Sequence, residues 1–427
     1  MDWSKDVSLY REVLDGKEPI TLRVFNADDD LTLERALKIA NADNEAIAIS
    51  GENYIQALAE KMRQAGTFLP TLTLGPSLNF SHSNGDTDNS QSVSANASAS
   101  GSMSDLSNIE ASKISVEKQK LLLLDQRQTI LLNVAQAYYD VLLAEHQIEV
   151  YKDSVDLQTE KLRDQQARLK VGNGRQLDVA QSRADLAGTR ASWTQAKTNA
   201  VNARSALARL MGVDAVTGKL TDAYTPPIVS DELQSFIDVA LATRQDYLAD
   251  THTVEVARLG VESAIRQYLP SVSINFNYYL MNDPGSSGSW SGGISANIPI
   301  FSALSIESDI RSAWSTYRAA GLAQSQTRRI VVDDVQQAYQ NVLNSKYRIT
   351  DLNEQVDAAN QAYDLAQKTY EIGSATNLER LTAKNDLLSA ELSLLEEQYT
   401  QKTSYLKLIR STGQIDSMIK IAAEIKQ

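Results

Sequence analysis

The segment SVSINFNYYL, residues 271–280, places Val272, Ile274, Phe276, Tyr278 and Leu280 on one parity and Ser271, Ser273, Asn275 and Asn277 on the other. Three more segments share this pattern. Leu72, Leu74, Leu78 and Phe80 oppose Thr71, Thr73, Ser77, Asn79 and Ser81. Val93, Ala95, Ala97, Ala99 and Met103 oppose Ser92, Ser94, Asn96, Ser98, Ser100 and Ser102. Trp290, Ile294, Ala296, Ile298 and Ile300 oppose Ser291, Ser295 and Asn297. Successive strand side chains point to opposite faces, so each segment has one oily and one wet face. The surrounding stretches, 64–112 and 267–310, contain no Lys or Arg. Four such segments of roughly ten residues are what a membrane-spanning β-barrel needs. Soluble strands over a small core are the weaker reading, because the polar faces are Ser, Asn and Thr rather than charged residues. Asn84-Gly85 and Asp283-Pro284-Gly285 mark the hairpin turns. Trp290, Tyr278, Tyr279 and Phe80 are expected as interfacial aromatics.

The chain has 427 residues, a net charge of −13 and no cysteine. The acidic balance argues against nucleic acid, whose phosphates require clustered Lys and Arg. Without cysteine there is no disulfide, thiolate metal site or cysteine nucleophile. No run of 18 apolar residues exists, which excludes a transmembrane helix. Met1 is followed by Asp2, Trp3, Ser4 and Lys5 with no apolar signal region, so the sequence reads as a processed mature form.

The chain is also written twice. Leu69-Pro70 returns as Leu269-Pro270, an offset of 200; Val134, Ala137 and Tyr138 return as Val335, Ala338 and Tyr339, an offset of 201. Val171-Gly172 returns as Ile372-Gly373, and Met211-Gly212 as Thr412-Gly413. The landmarks divide the chain into an N-terminal extension (1–30), a first repeat (31–212), a linker (213–231), a second repeat (232–413) and a tail (414–427). Each repeat reads helix, strand, strand, long helix, turn, helix. Helices are expected at 31–65, 104–170 and 177–211, then at 232–267, 305–371 and 378–411, all rich in helix-favouring residues. Strands are expected at about 67–83, 90–103, 270–282 and 290–301. Gly172-Asn173-Gly174 and Gly373-Ser374 fall where a helical hairpin turns.

Length constrains the architecture. The long helix of 67 residues would extend about 100 Å and needs neighbours along its whole length. Two shorter helices stacked end to end supply them, and their ends meet halfway, beside 1–30, 213–231 and 414–427. Four strands cannot close a barrel, and open edges are not tolerated in hydrocarbon. Other subunits must complete the sheet; two copies give 8 strands and three give 12, both allowed.

With this plan the chain resembles the TolC-type outer-membrane channels of Gram-negative bacteria over about 31–413. The likeness also rests on Arg168-Leu-Lys-Val-Gly172 with Leu177-Asp178-Val179, and on Tyr370-Glu-Ile-Gly373 with Leu378-Glu379. The resemblance implies a mainly α fold with transmembrane β: a homotrimer with a 12-stranded barrel in outer-membrane lipid, continued by a 12-helix tunnel across the periplasm. It further implies a periplasmic adaptor, an inner-membrane transporter, and a passive efflux or type I secretion duct gated at the helical tips. In the family an acid lies six residues after each turn glycine, here Asp178 and Glu379. A tyrosine three residues before the second glycine, here Tyr370, bonds the first-repeat acid and holds the tip closed. A second aperture acid is Thr382 here, and the gate arginine is Ala375. Arg168, Arg175 and Arg380 stand near enough to compensate. Val171, Gly172, Ile372 and Gly373 would be the adaptor-contact tips, or simply turn the chain. Asp178 and Glu379 also have a purely structural reading, since an acid in the first helical turn meets the helix dipole favourably.

No enzyme constellation accompanies these features. His82, His146 and His252 lie in different elements, so neither a metal site nor a cofactor is expected. No G-x-S-x-G elbow occurs, Gly172-x-Gly174 lacks a third glycine, and Asp333-Asp334 reads as a solvated face. The competing reading is a non-channel coiled-coil structural protein or adhesin of the cell envelope.

Overall fold

The computed structural model describes residues 30–83, 86–222, 224–227, 232–283, 285 and 287–415, with no side-chain detail at 81–89. Of the segments read above, 1–29, Asn84, Gly85, Pro284 and 416–427 lie outside the described residues, as do parts of the linker. The elements run β1 (Leu31–Thr32), α1 (Leu33–Asp43), α2 (Glu45–Ala65), β2 (Thr71–Ser83), β3 (Asp86–Ser102), α3 (Met103–Lys170) and α4 (Gln176–Met211). They continue β4 (Leu220–Thr221), α5 (Leu233–Thr243), α6 (Gln245–Arg266), β5 (Ser271–Asp283), β6 (Trp290–Asn297), α7 (Ser305–Glu371) and α8 (Asn377–Ser411). The helix–strand–strand–helix–helix order thus occurs twice. The chain divides into two compact units that cut across this duplication: Met1–Ala48 with Gln126–Ala240 and Asp333–Gln427, and Ile49–Asp125 with Leu241–Val332.

The second unit holds a four-stranded antiparallel sheet in the order β2-β3-β5-β6. Its register lines up the two faces. Leu72, Ala97, Phe276 and Gly292 stand abreast, as do Leu74, Ala95, Tyr278 and Trp290. On the opposite parity come Thr71, Ser98 and Asn275, then Thr73, Asn96, Asn277 and Ser291. Hydroxyls pair across the wet face: Thr71 with Ser98 at 2.9 Å, Ser77 with Ser92 at 2.6 Å, and Ser273 with Ser295 at 2.7 Å. A register shift between Val93 and Ser94 sets Val93 opposite Met281 and Ser94 opposite Tyr279. This leaves Leu280 as the extra residue of a bulge. β2 and β6 are the sheet edges, and Pro76, which lacks an N–H, sits on one of them as it must.

Three strand limits differ from the expectation. β3 starts at Asp86 rather than about 90, because Asp86, Thr87, Asp88 and Asn89 continue the ladder with Ser83, His82, Ser81 and Phe80. β2 starts at Thr71 rather than about 67, because Gly66–Phe68 forms a 3-10 turn closed by Leu69 N–H donating to Gly66 O. β6 ends at Asn297 rather than 301, because Asn297 pairs with Ser271, the first residue of β5. Beyond it lie Pro299 and a turn in which Ala303 (φ 48°) and Leu304 (φ 69°) are both left-handed. Each such non-glycine residue costs on the order of 1–3 kcal/mol.

The first unit is built around an apolar core of Leu31, Leu37, Ala40, Leu131, Val134, Tyr138, Val141, Leu207, Met211 and Ile415. The first helix of each repeat, expected to be continuous, is broken at Asn44 and Arg244. Asn44 explains the first break. Its amide N–H closes α1 onto Ala40 O, and its side-chain oxygen accepts from Ala46 N and Ile47 N. Its side-chain NH₂ reaches Leu210 O at 2.8 Å. Gly212 then approaches so closely that a Cβ there would lie 2.3 Å from Asp43 O. At the second break Arg244 binds Asp246, whose carboxylate accepts from Tyr247 N.

The linker, expected to be irregular, contains β4, which pairs in parallel with β1. Tyr138 stitches the pair. Its hydroxyl lies 2.7 Å from both Leu31 O and Thr221 O, donating to either, and accepts from Thr221 N at 3.1 Å. Arg204 binds Glu145, Val216 O and Gly218 O, while Lys402 binds both oxygens of Asp222. Burial pushes the Tyr138 phenol up to about 12.

Candidate functional site at the helical hairpin turns

The residues singled out at the hairpins all fall in the first unit. Val171, Gly172, Asn173, Gly174 and Arg175 connect α3 to α4, and Ile372, Gly373, Ser374, Ala375 and Thr376 connect α7 to α8. Gly172 (φ 79°) and Gly373 (φ 82°) take the left-handed conformation that ends each long helix. The reversals are closed the same way, Asn173 N–H donating to Arg168 O and Ser374 N–H to Thr369 O, each at 2.9 Å. Val171 is 72% and Ile372 77% exposed, so two branched aliphatic side chains stand in solvent at the turns.

The closing link inferred from the family, Tyr370 to Asp178, is not the contact the chain makes. Tyr370 donates its hydroxyl to Gln165 Oε1 at 2.7 Å, joining α7 to α3. Asp178 instead faces Arg175, with Nε–Oδ2 at 3.8 Å. Asn377, the first residue of α8, lies against the start of α4. Its side-chain NH₂ donates to Asp178 O at 3.2 Å and Ser182 Oγ at 3.3 Å. Its Oδ1 accepts from Arg380 Nη2 at 2.8 Å and Nε at 3.2 Å.

Arg380 is buried, with no ion pair to a carboxylate among the described residues, and burial pulls its guanidinium below the usual range. Its guanidinium lies 5.4 Å from the centroid of the Tyr370 ring, and Arg168 lies 5.9 Å from the same ring. Ala375 holds no charge, so the second turn has no arginine, whereas Arg175 stands in the first and Arg168 and Arg380 sit on the helices. Glu379 has a defined structural task. Its N–H donates to Thr376 Oγ1 while its Oε2 accepts from Thr376 N at 2.7 Å, a reciprocal capping box. Glu379 and Thr382 also line an open groove of about 780 Å³ with Gln355, Ala358, Ala362 and Asp386. Gln165 and Asn377 were absent from the sequence reading. For Asn377 a signal existed, an Asn abutting a turn with an Arg three residues on; for Gln165 there was none.

The helical hairpin thus occurs twice, and the sheet sets an apolar face against a wet face without Lys or Arg. Residues 40–213 and 236–414 match the outer membrane efflux protein family, and the chain belongs to that family. It is 23% identical over 314 residues to the outer membrane efflux protein BepC of Brucella suis, covering 72% of this chain and 68% of that one. It is 25% identical over 299 residues to the outer membrane protein TolC of Vibrio cholerae, covering 67% and 68%. Its fold is similar to the Campylobacter jejuni CmeC outer membrane channel, with a TM-score of 0.81 at 18% identity over 95% of this chain and 94% of that one. The chain is therefore an outer-membrane channel subunit of the efflux and secretion class, reaching from the outer membrane into the periplasm.

Proposed function

We propose that three copies close a twelve-stranded barrel and continue it as a helical tunnel, forming the passive exit duct of a tripartite efflux or secretion system. The observation that carries this reading is the sheet β2-β3-β5-β6 with both edges open and no Lys or Arg in its strands. Such a sheet is stable in hydrocarbon only when its edges are paired, and three copies supply 12 strands. The repeats 31–212 and 232–413 would each contribute one long helix and its shorter partners to the tunnel. The extension, linker and tail would band its middle. The exposed Val171 and Ile372, with Gly172 and Gly373, would meet a periplasmic adaptor that couples the duct to an inner-membrane transporter.

The gate would sit at the same turns. Tyr370 with Gln165, and Asn377 with Asp178 and Ser182, are the side-chain links that would have to yield as the hairpins part. Glu379, repeated around a threefold axis, would form an acidic ring that favours cations. Thr382 would leave that ring without a second carboxylate. The test is single-channel recording in planar bilayers of the wild type beside Tyr370→Phe and Asn377→Ala. A small resting conductance that rises in both variants supports the gate. Unchanged resting conductance in both removes it, and no channel activity from a purified trimer removes the duct itself.

A further inference from the structure

The two copies of the repeat differ at one junction. β3 ends at Ser102 and α3 begins at Met103, so strand passes directly into helix. After β6 the chain instead makes the seven-residue excursion 298–304 before α7. Ile300 is 97%, Phe301 85% and Leu304 70% exposed within the chain, and Ala303 and Leu304 hold strained left-handed backbones. Ile298 and Ile300 continue the parity of Trp290, Ile294 and Ala296, which is the oily face of the sheet.

Position in the sheet says what covers this loop. β3 lies inside the sheet, between β2 and β5, whereas β6 is an edge. A lipid coat would meet both junctions alike and gives no reason for one to carry an exposed apolar loop. A neighbouring copy would meet the edge junction only. The strand registers place Thr71, Ser102, Ser271 and Asn297 at the same end of the sheet. β2 runs away from that end and β6 runs toward it, so β6 of one copy and β2 of the next pair antiparallel, as every other neighbour in the sheet does. The loop after β6 then lies beside the 3-10 turn that precedes β2 in the next copy. That turn presents Leu69, 65% exposed, and the outer side of Phe68, whose ring is laid against Gly101.

We infer that Ile300, Phe301 and Leu304 of one copy pack on Phe68 and Leu69 of the next, forming an apolar knot that fastens each seam at the barrel base. The inference rests on the closure by three copies proposed above. Because the chain has no cysteine, paired cysteines bridged by a short bis-maleimide test it in the full-length protein. Ile300→Cys with Leu69→Cys is expected to give covalent dimers and trimers on a denaturing gel, and neither single variant is. Ala296→Cys with Leu72→Cys reports the strand seam alone. Bridging at 296/72 without bridging at 300/69 overturns the knot and leaves the closure standing; bridging at neither pair overturns both. Phe301→Asn is further expected to lower the temperature at which the trimer dissociates in detergent without changing the conductance of intact channels. Wild-type resistance to dissociation would count against the knot.

Discussion

Tyr138 and Tyr139 are neighbours in α3, both fully buried, and removing their hydroxyls is expected to have opposite consequences. The Tyr138 hydroxyl accepts from Thr221 N and donates to the carbonyl of Leu31 or Thr221. Tyr138→Phe keeps the ring packing but leaves a half-buried amide without that acceptor and a carbonyl without that donor. Leaving a half-buried amide unsatisfied costs about 1–2 kcal/mol and a lost neutral bond about 1 kcal/mol, so the expected cost is about 2–3 kcal/mol. The Tyr139 hydroxyl is buried with no partner among the described residues. Tyr139→Phe therefore removes a desolvated polar group for no lost bond, and is expected to be neutral or stabilising by up to about 1 kcal/mol. Amide hydrogen exchange reads the difference locally. The Thr221 amide should exchange roughly 30- to 150-fold faster in Tyr138→Phe through local opening, and at the wild-type rate in Tyr139→Phe. Melting temperatures in detergent should fall only for Tyr138→Phe. Equal effects of the two substitutions would refute the assignment of the hydroxyl as the stitch between β1 and β4.

Asn377→Ala should cost about 2–4 kcal/mol, because it deletes the bonds to α4 and strips the buried Arg380 of its side-chain acceptor; hairpin-tip protease sensitivity and thermal melting read this. Glu379→Gln preserves a capping-box side chain but removes the charge, so reversal potentials in a salt gradient should shift toward lower cation selectivity while the melting temperature stays constant. Alkaline stability should fall early. Burial holds Tyr138 at about 12 and also raises Tyr139, Tyr224 and Tyr399. The unfolded chain loses those protons near pH 10, so the contribution is intact below that and disappears as pH rises to 12, about 1.4 kcal/mol at pH 11 for Tyr138 alone. Melting followed from pH 9 to 11 together with phenolate absorbance checks it; a flat profile would contradict the burial of these phenols.

What the sequence disclosed and what it hid follow from the range of the forces involved. The strands were readable because apolar and small polar side chains alternate along most of their length and no Lys or Arg occurs in them, a property of each segment by itself. The hairpin turns were readable because only glycine takes φ near +80° without strain, and Gly172 and Gly373 interrupt long helical runs. The break at Asn44 was not readable. The residues around it favour helix, and the interruption is fixed by a bond to Leu210, 166 residues away. β1 and β4 are two residues each, too short for any periodicity, and exist because Tyr138 supplies a hydroxyl between them.

The tip shows the same limit more sharply. The resemblance supplied a partner for Tyr370 by position, but hydrogen bonds are made by whichever group the packing brings within 3 Å or so. Asn377 ties the start of α8 to the backbone of Asp178 and to Ser182, and the Asp178 carboxylate faces Arg175. Gln165, on α3, faces Tyr370 across the 205 residues that separate them in sequence. The link thereby changes character, from a hydroxyl on a carboxylate to a hydroxyl on a neutral amide. A charge-assisted bond is roughly twice as strong as a neutral one. Ala375, where the resemblance would place an arginine, adds no charge to the second turn. Arg380 does not restore the lost pair. It is buried, bonded to the side-chain oxygen of Asn377 and laid near the Tyr370 ring, so it acts on packing between helices. The hairpins of this chain are thus joined by the neutral contacts of Tyr370 and Asn377, by the Arg175–Asp178 ion pair and by the buried Arg380.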